Sequence, residues 1–134
     1  MIKGIKMQYF EEFLKKINFE KQLKKMAKVY KNKKILIYGA GSFYEVLHSN
    51  YDLSCLNIIG ISDKNKTAGN VQTLYGYPAI KPGDIKKINP DVILVGLPDP
   101  IYLIEALKID YSGIKIAPLV NKDRIEFLRE ILKI

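Results

Sequence analysis

The parts of this chain best suited to chemistry are a glycine pair, Gly39-Ala40-Gly41, followed directly by Ser42 and Phe43, and an aspartate, Asp63, which lies 22 residues beyond Gly41. A phosphate bound where a strand turns into a helix needs backbone N–H groups aimed at it, the positive end of a helix, and no side chain in the way. Gly39 permits the tight turn, Gly41 the close approach of main chain to phosphate, and the Ser42 hydroxyl offers one more donor. Asp63 stands at about the 20-residue spacing at which an acidic side chain meets a ribose hydroxyl. The dinucleotide fingerprint G-x-G-x-x-G has a third glycine for close helix–strand packing. Here that position is Tyr44, whose ring either tilts the helix or turns toward the crevice as a stacking surface.

Other reactive side chains have plainer readings. His48 lies about two turns past the glycines and is expected at the surface, pointing away from the crevice. Cys55 has no histidine nearby in sequence and is expected to be a packed core thiol. Asp99 is either part of the site or the cap of the helix that follows it. Tyr38, Tyr44, Tyr51, Tyr75 and Tyr77 are expected to pack rather than to stack on a base. Nothing resembles a Ser-His-Asp relay or a pair of carboxylates held for acid and base work, so no catalytic residue is assigned. One cysteine and one histidine exclude an internal disulfide and a conventional zinc cage.

The elements that must position these residues follow from hydrophobic spacing. Residues 34–38 form a short apolar run ended by Gly39, as a strand buried on both faces would. A short helix is predicted over 42–49 and a second strand over 57–62, closed by the polar turn Asp63-Lys64-Asn65-Lys66. Residues 67–76 lack helical period and read as a loop, and 77–80 as a short edge strand. Pro82 opens a brief helix to Ile88. Residues 91–97 make the clearest strand, Pro98-Asp99-Pro100 opens a helix to about Leu107, and 114–117 is a further strand. Asp123 is read as the cap of a last amphipathic helix. Strands alternating with helices imply a mainly parallel sheet with its ligand crevice at the strands' carboxyl ends. The fold class expected is α/β, a Rossmann-like three-layer domain over residues 33–134, preceded by an N-terminal helical segment over residues 1–32.

That N-terminal segment carries apolar residues at helical spacing, with a phase slip at Asn18, a good helix N-cap. Two helices, or one kinked helix, are expected, with the apolar stripe buried on this domain or on a partner. Residues 1–34 hold eleven lysines against three glutamates, which accounts for the whole net charge of +8. Charge confined to a helical segment reads as a solvated face, so no nucleic-acid partner is expected. At 134 residues, with 48% hydrophobic and 27% charged side chains, the chain suits a single folded domain with one core. No apolar run approaches the roughly 18 residues of a membrane span, and the first residues lack a signal-peptide pattern, so a cytoplasmic protein is expected.

Four stretches carry a resemblance: KILIYGAGSF at 34–43, GISDKN at 60–65, GYPAI at 76–80 and PDVILV at 90–95. Together they resemble the Rossmann-like domains of bacterial surface-polysaccharide enzymes. These include the N-terminal domains of sialic-acid-type sugar acetyltransferases, the nucleotide-binding domains of membrane-linked nucleotide-sugar dehydratases and the C-terminal domains of sugar C-methyltransferases. The chain is more distantly similar to CoA-binding domains. The resemblance implies an NAD(P) or nucleotide-sugar ligand whose phosphate meets Gly39, Gly41 and Ser42. It also implies a ribose or sugar hydroxyl at Asp63, and a segment Leu97-Pro98-Asp99 that closes over the ligand. Ala40, Phe43 and Lys64, between and beside these residues, complete the expected contacts. Such domains are usually joined to a separate catalytic domain. The alternatives are therefore a non-catalytic interaction module, docked on a larger synthase or on a second copy through the N-terminal helices, and an accessory domain for CoA or S-adenosylmethionine.

Overall fold

The computed structural model describes residues 2–122. Four parallel strands form the main sheet: β1 (Ile35–Tyr38), β2 (Ile58–Ser62), β5 (Val92–Val95) and β6 (Lys115–Pro118), in the order β2-β1-β5-β6. Every residue of β1 and β5 is buried, which explains why these two strands read as unbroken apolar runs: they lie side by side at the centre of the sheet and have no solvent face. The alternating pleat then divides the interior in two, where one core is expected from length alone. Ile35, Ile37, Val92 and Leu94 join one apolar cluster, and Leu36, Tyr38, Ile93 and Val95 the other.

The first cluster is completed by α1 (Ile2–Lys16), α2 (Phe19–Val29) and α3 (Ser42–Asn50), the second by α4 (Ile85–Ile88) and α5 (Ile101–Asp110). The fold is thus mixed α/β around a parallel sheet.

Asn18 breaks the N-terminal segment where the apolar phase slips. It adopts the left-handed conformation (φ 52°), and its side chain accepts from the Lys21 amide at 3.4 Å. The stripe that this break re-aims, Phe10, Leu14, Phe19, Leu23 and Met26, is buried on this same domain rather than left for a partner. Phe10 meets Phe43 edge-on, and Phe19 meets Tyr51 likewise, both with ring centres 5.0 Å apart. Each such pair adds about 1 kcal/mol beyond burial of area. Gln22 fastens α2 to the chain after β6: its amide nitrogen donates to the Asn121 carbonyl at 2.9 Å and its oxygen accepts from the Asn121 amide at 3.1 Å. Both groups are buried, so Gln22→Ala is expected to destabilise the protein by about 2 kcal/mol in urea unfolding.

The stretch 67–76, expected to be a loop, instead contains half of a hairpin. Thr73–Leu74 (β3) pairs antiparallel with Tyr77–Pro78 (β4) around Tyr75 and Gly76, both at positive φ. Two-residue strands are too short to show an alternating pattern, and tyrosine is an unusual residue for such a turn. The edge strand expected over 77–80 is present in part: Ala79 bridges Ile61, and the Ile80 amide donates to the Ile61 carbonyl at 2.8 Å. The helix after Pro100 runs three residues beyond Leu107, to Asp110. The helix expected after Asp123 lies outside the described residues. No helix among those described is long and apolar enough to cross a membrane.

Candidate functional site

The connection from β1 to β2 runs through α3 on one face of the sheet, and the connection from β2 to β5 through α4 on the other. β5 in turn leads into α5 on that second face, so the neighbouring strands β1 and β5 release their chains to opposite faces, the arrangement that places a crevice at the carboxyl ends of parallel strands. The glycine turn and the segment 96–99 flank it.

Within the turn, the two glycines differ in what they do. Gly39 has φ +98°, a conformation that side chains rarely tolerate, and the Leu97 side chain would lie 3.3 Å from a Cβ placed there. Its amide donates to the Ser62 carbonyl at 2.8 Å, extending the ladder to β2. Gly39 is thus a structural glycine. Gly41 has φ −80° and ψ −160°, open to any residue, and a Cβ there would meet nothing within 4 Å. The fold itself makes no demand for glycine at 41. Gly41 is the N-cap of α3 and has no capping side chain; its carbonyl accepts the first helical bond, from Glu45 at 3.0 Å. Among the described residues the amides of Gly41, Ser42 and Phe43 have no acceptor.

Ala40 is not available to a ligand in the way expected. It is fully buried, and its amide donates to Asp63 Oδ2 at 2.7 Å. The other oxygen of Asp63 accepts from the amides of Asn65 at 2.9 Å and Lys66 at 3.0 Å. Thr67 closes the turn: its hydroxyl donates to the Asp63 carbonyl at 2.6 Å and accepts from the Asp63 amide at 3.1 Å. The Asp63 carboxylate therefore ties the end of β2 to the glycine turn, instead of standing open to a ribose or sugar hydroxyl. Burial alone would raise its pKa. The hydrogen bonds from Lys66, Ala40 and Asn65, with the Lys66 charge, outweigh burial and hold the carboxyl below its ordinary value. Lys64 is exposed beside this turn. Thr67 is the hydrogen-bond partner of Asp63 that sequence reading missed; only its spacing of four residues from Asp63 hints at the contact.

Tyr44 occupies the third-glycine position without tilting into the crevice. It is fully buried, edge-on to Tyr75 at 5.2 Å, and its burial pushes the phenol well above its ordinary pKa. The space that a glycine on the helix would provide comes from the facing strand end instead. A Cβ on Gly96 would stand 2.8 Å from the Gly39 carbonyl oxygen and 3.3 Å from Tyr44 Cδ1. Gly96→Ala is accordingly expected to destabilise the chain by about 1–2 kcal/mol, because backbone must move; thermal unfolding checks it.

A domain model described as C2185-like, N-terminal matches residues 31–117. The chain belongs to this family. No curated protein and no solved structure matches it. The C2185-like span starts just before β1 and ends within β6, so the glycine turn, Asp63 and segment 97–99 lie inside it, while α1 and α2 precede it.

Those preceding helices nevertheless reach the crevice. Tyr9, Phe10 and Phe13 of α1 line a cleft of about 290 Å³ with Pro98, Asp99 and Lys122. Asp99 does not cap α5, whose N-cap is Pro100; its carboxylate pairs with Lys122 Nζ at 3.4 Å on the surface. Leu97 packs against Gly39, and Pro98 is exposed. The Ser62 hydroxyl, beside the turn, is buried without a partner among the described residues.

Two further residues differ from expectation. His48 is half-buried against Tyr44 and Tyr75, with Nδ1 enclosed, because the β3–β4 hairpin folds over that end of α3. Cys55 is exposed rather than packed, since it ends a one-turn surface helix; partial desolvation raises its thiol pKa, the reverse of activation. Among the described residues no group of three His, Cys, Asp or Glu side chains is placed to hold a metal.

Proposed function

We propose that this chain is a Rossmann-like, three-layer domain that binds a nucleotide-type ligand, NAD(P) or a nucleotide-sugar, in surface-polysaccharide or glycan biosynthesis. One observation carries the reading: Gly41, which the fold does not require, leaves clear space before three unbonded amides at the start of α3, at the carboxyl end of a central strand. The helix dipole and those amides suit a phosphate. Both ligands carry a ribose, and Asp63, which already accepts three amides, offers neither a free carboxylate, so the phosphate contact at the turn carries the binding. Of the two, the resemblance to nucleotide-sugar enzymes favours the nucleotide-sugar. The resemblance at residues 34–43 and 60–65 supports the pathway. The site would bind and orient, and any bond-making would fall to a bound cofactor or a partner domain.

A thermal-shift screen with UDP-sugars, NAD, NADP, CoA and S-adenosylmethionine tests the proposal, since a ligand that binds only the folded state raises its stability. UDP-sugars are expected to give the largest shift. No shift from any of them at millimolar concentration rejects the nucleotide reading.

A second reading, an interaction module, draws on α5. Ile101 (56% exposed), Tyr102 (90%) and Ile109 (81%) place three large apolar side chains on its solvent side, around the exposed Glu105–Lys108 ion pair, as on a helix that another surface covers. An unresponsive screen, with association that Ile109→Glu abolishes in light scattering, would favour it.

A further inference from the structure

We infer that the cleft between α1 and the chain after β5 is the subsite for the planar ring of the ligand, a nucleobase whose attached phosphates reach the glycine turn. The inference rests on the nucleotide reading above. At about 290 Å³ the cleft lies at the lower end of the roughly 300–1,000 Å³ of small-molecule pockets, room for a planar ring system. Its walls are of the right kind. Tyr9 is 64% exposed, an unusual state for a large aromatic ring, and with Phe10 and Phe13 it presents aromatic surface opposite Pro98.

The cleft also neighbours the turn. Phe10 packs on Phe43, whose amide is one of the three without an acceptor, and Leu97, next to Pro98, packs on Gly39. A molecule with an aromatic ring at one end and phosphate at the other fits these two neighbouring places. Lys6 Nζ stands 5.8 Å from the centre of the Phe10 ring, and Lys122 pairs with the Asp99 carboxylate on the rim, so charged groups of both signs edge a recess whose walls are mainly aromatic. The N-terminal helices, outside the family span, would thus set which base is accepted.

Binding of UDP, ADP and inorganic pyrophosphate to the full chain, measured by calorimetry, tests this. One nucleoside diphosphate is expected to bind at least tenfold more tightly than pyrophosphate. Tyr9→Ala and Phe13→Ala are expected to remove about tenfold of that affinity each while leaving pyrophosphate binding unchanged, in line with the worth of stacking one base on an aromatic ring. Tyr9→Ala, at an exposed position, keeps the fold intact and so remains informative if Phe13→Ala does not fold. If pyrophosphate binds as tightly as UDP and ADP, or Tyr9→Ala changes neither, the cleft is not the ring subsite, although the glycine turn still holds phosphate. If Gly41→Asp leaves every affinity unchanged, the turn reading fails and this inference with it.

Discussion

Gly41→Asp is expected to abolish nucleotide binding while leaving the unliganded protein as stable as before, or slightly more so. The two halves of this result have separate causes. Gly41 adopts a conformation open to any residue, and a new side chain there meets open space. Aspartate is moreover a better helix N-cap than glycine, by a few tenths of a kcal/mol, because its carboxylate accepts amides of the first helical turn. Those amides are the ones proposed to hold phosphate. The carboxylate would fill the site and repel the ligand at once. For the native chain, a ligand at 100 times its dissociation constant adds about 2.7 kcal/mol of stability. In a domain of this size that is on the order of 10 °C in Tm. The variant is expected to show no ligand-induced shift, with its unliganded Tm within a degree or two of the native chain. A retained shift would remove the glycine turn from the binding site. A collapse of the unliganded protein would show that Gly41 has a structural role after all.

Asp63→Ala has the opposite profile, a large loss of stability whatever the ligand. It takes the acceptor from three amides. Those of Asn65 and Lys66 are exposed and turn to water, whereas Ala40 is fully buried and its N–H would be left without a partner. A buried donor of this kind costs roughly 1–3 kcal/mol, and the bond lost is to a charged group, so a total of about 3 kcal/mol is expected in urea unfolding. Asp63→Asn should lose less, since its side-chain oxygen can still accept from the buried Ala40 amide while the exposed Asn65 and Lys66 amides turn to water. Acidity supplies an independent check. The Asp63 pKa is lower in the folded chain than the ordinary 3.8, so the unfolded chain takes up the proton first. The stabilisation is therefore complete at neutral pH and is lost as pH falls below 3.8 through the folded value. The gap between native chain and Asp63→Ala should narrow over that acidic range and stay constant above it. A gap independent of pH down to 2 would show that the carboxylate's charge contributes nothing.

How far these features can be read without coordinates differs from residue to residue. Strands 35–38 and 92–95 are legible because burial on both faces writes itself as an unbroken apolar run, and the break at Asn18 because a phase slip coincides with a capping residue. The β3–β4 hairpin is not legible, since two residues per strand leave no period to detect. Asp63 shows the same limit at the site. Its distance from the glycines marks it as a partner of the turn, but spacing says nothing of whether the carboxylate faces outward to a ligand or inward to the Ala40 amide.

Local chain chemistry, then, determined the order of strands and helices, the glycine turn and the charge of the N-terminal segment, because each depends on residues close together in the chain. Tertiary structure decided what those residues meet: that Gly96 supplies the room Tyr44 takes up, that this domain's own core, with Phe43 of α3, rather than a partner buries Phe10 of α1, and that Tyr9 and Phe13 face Pro98 across nearly ninety residues of sequence. Such contacts follow from packing a whole core at once, and no short window of sequence contains both partners.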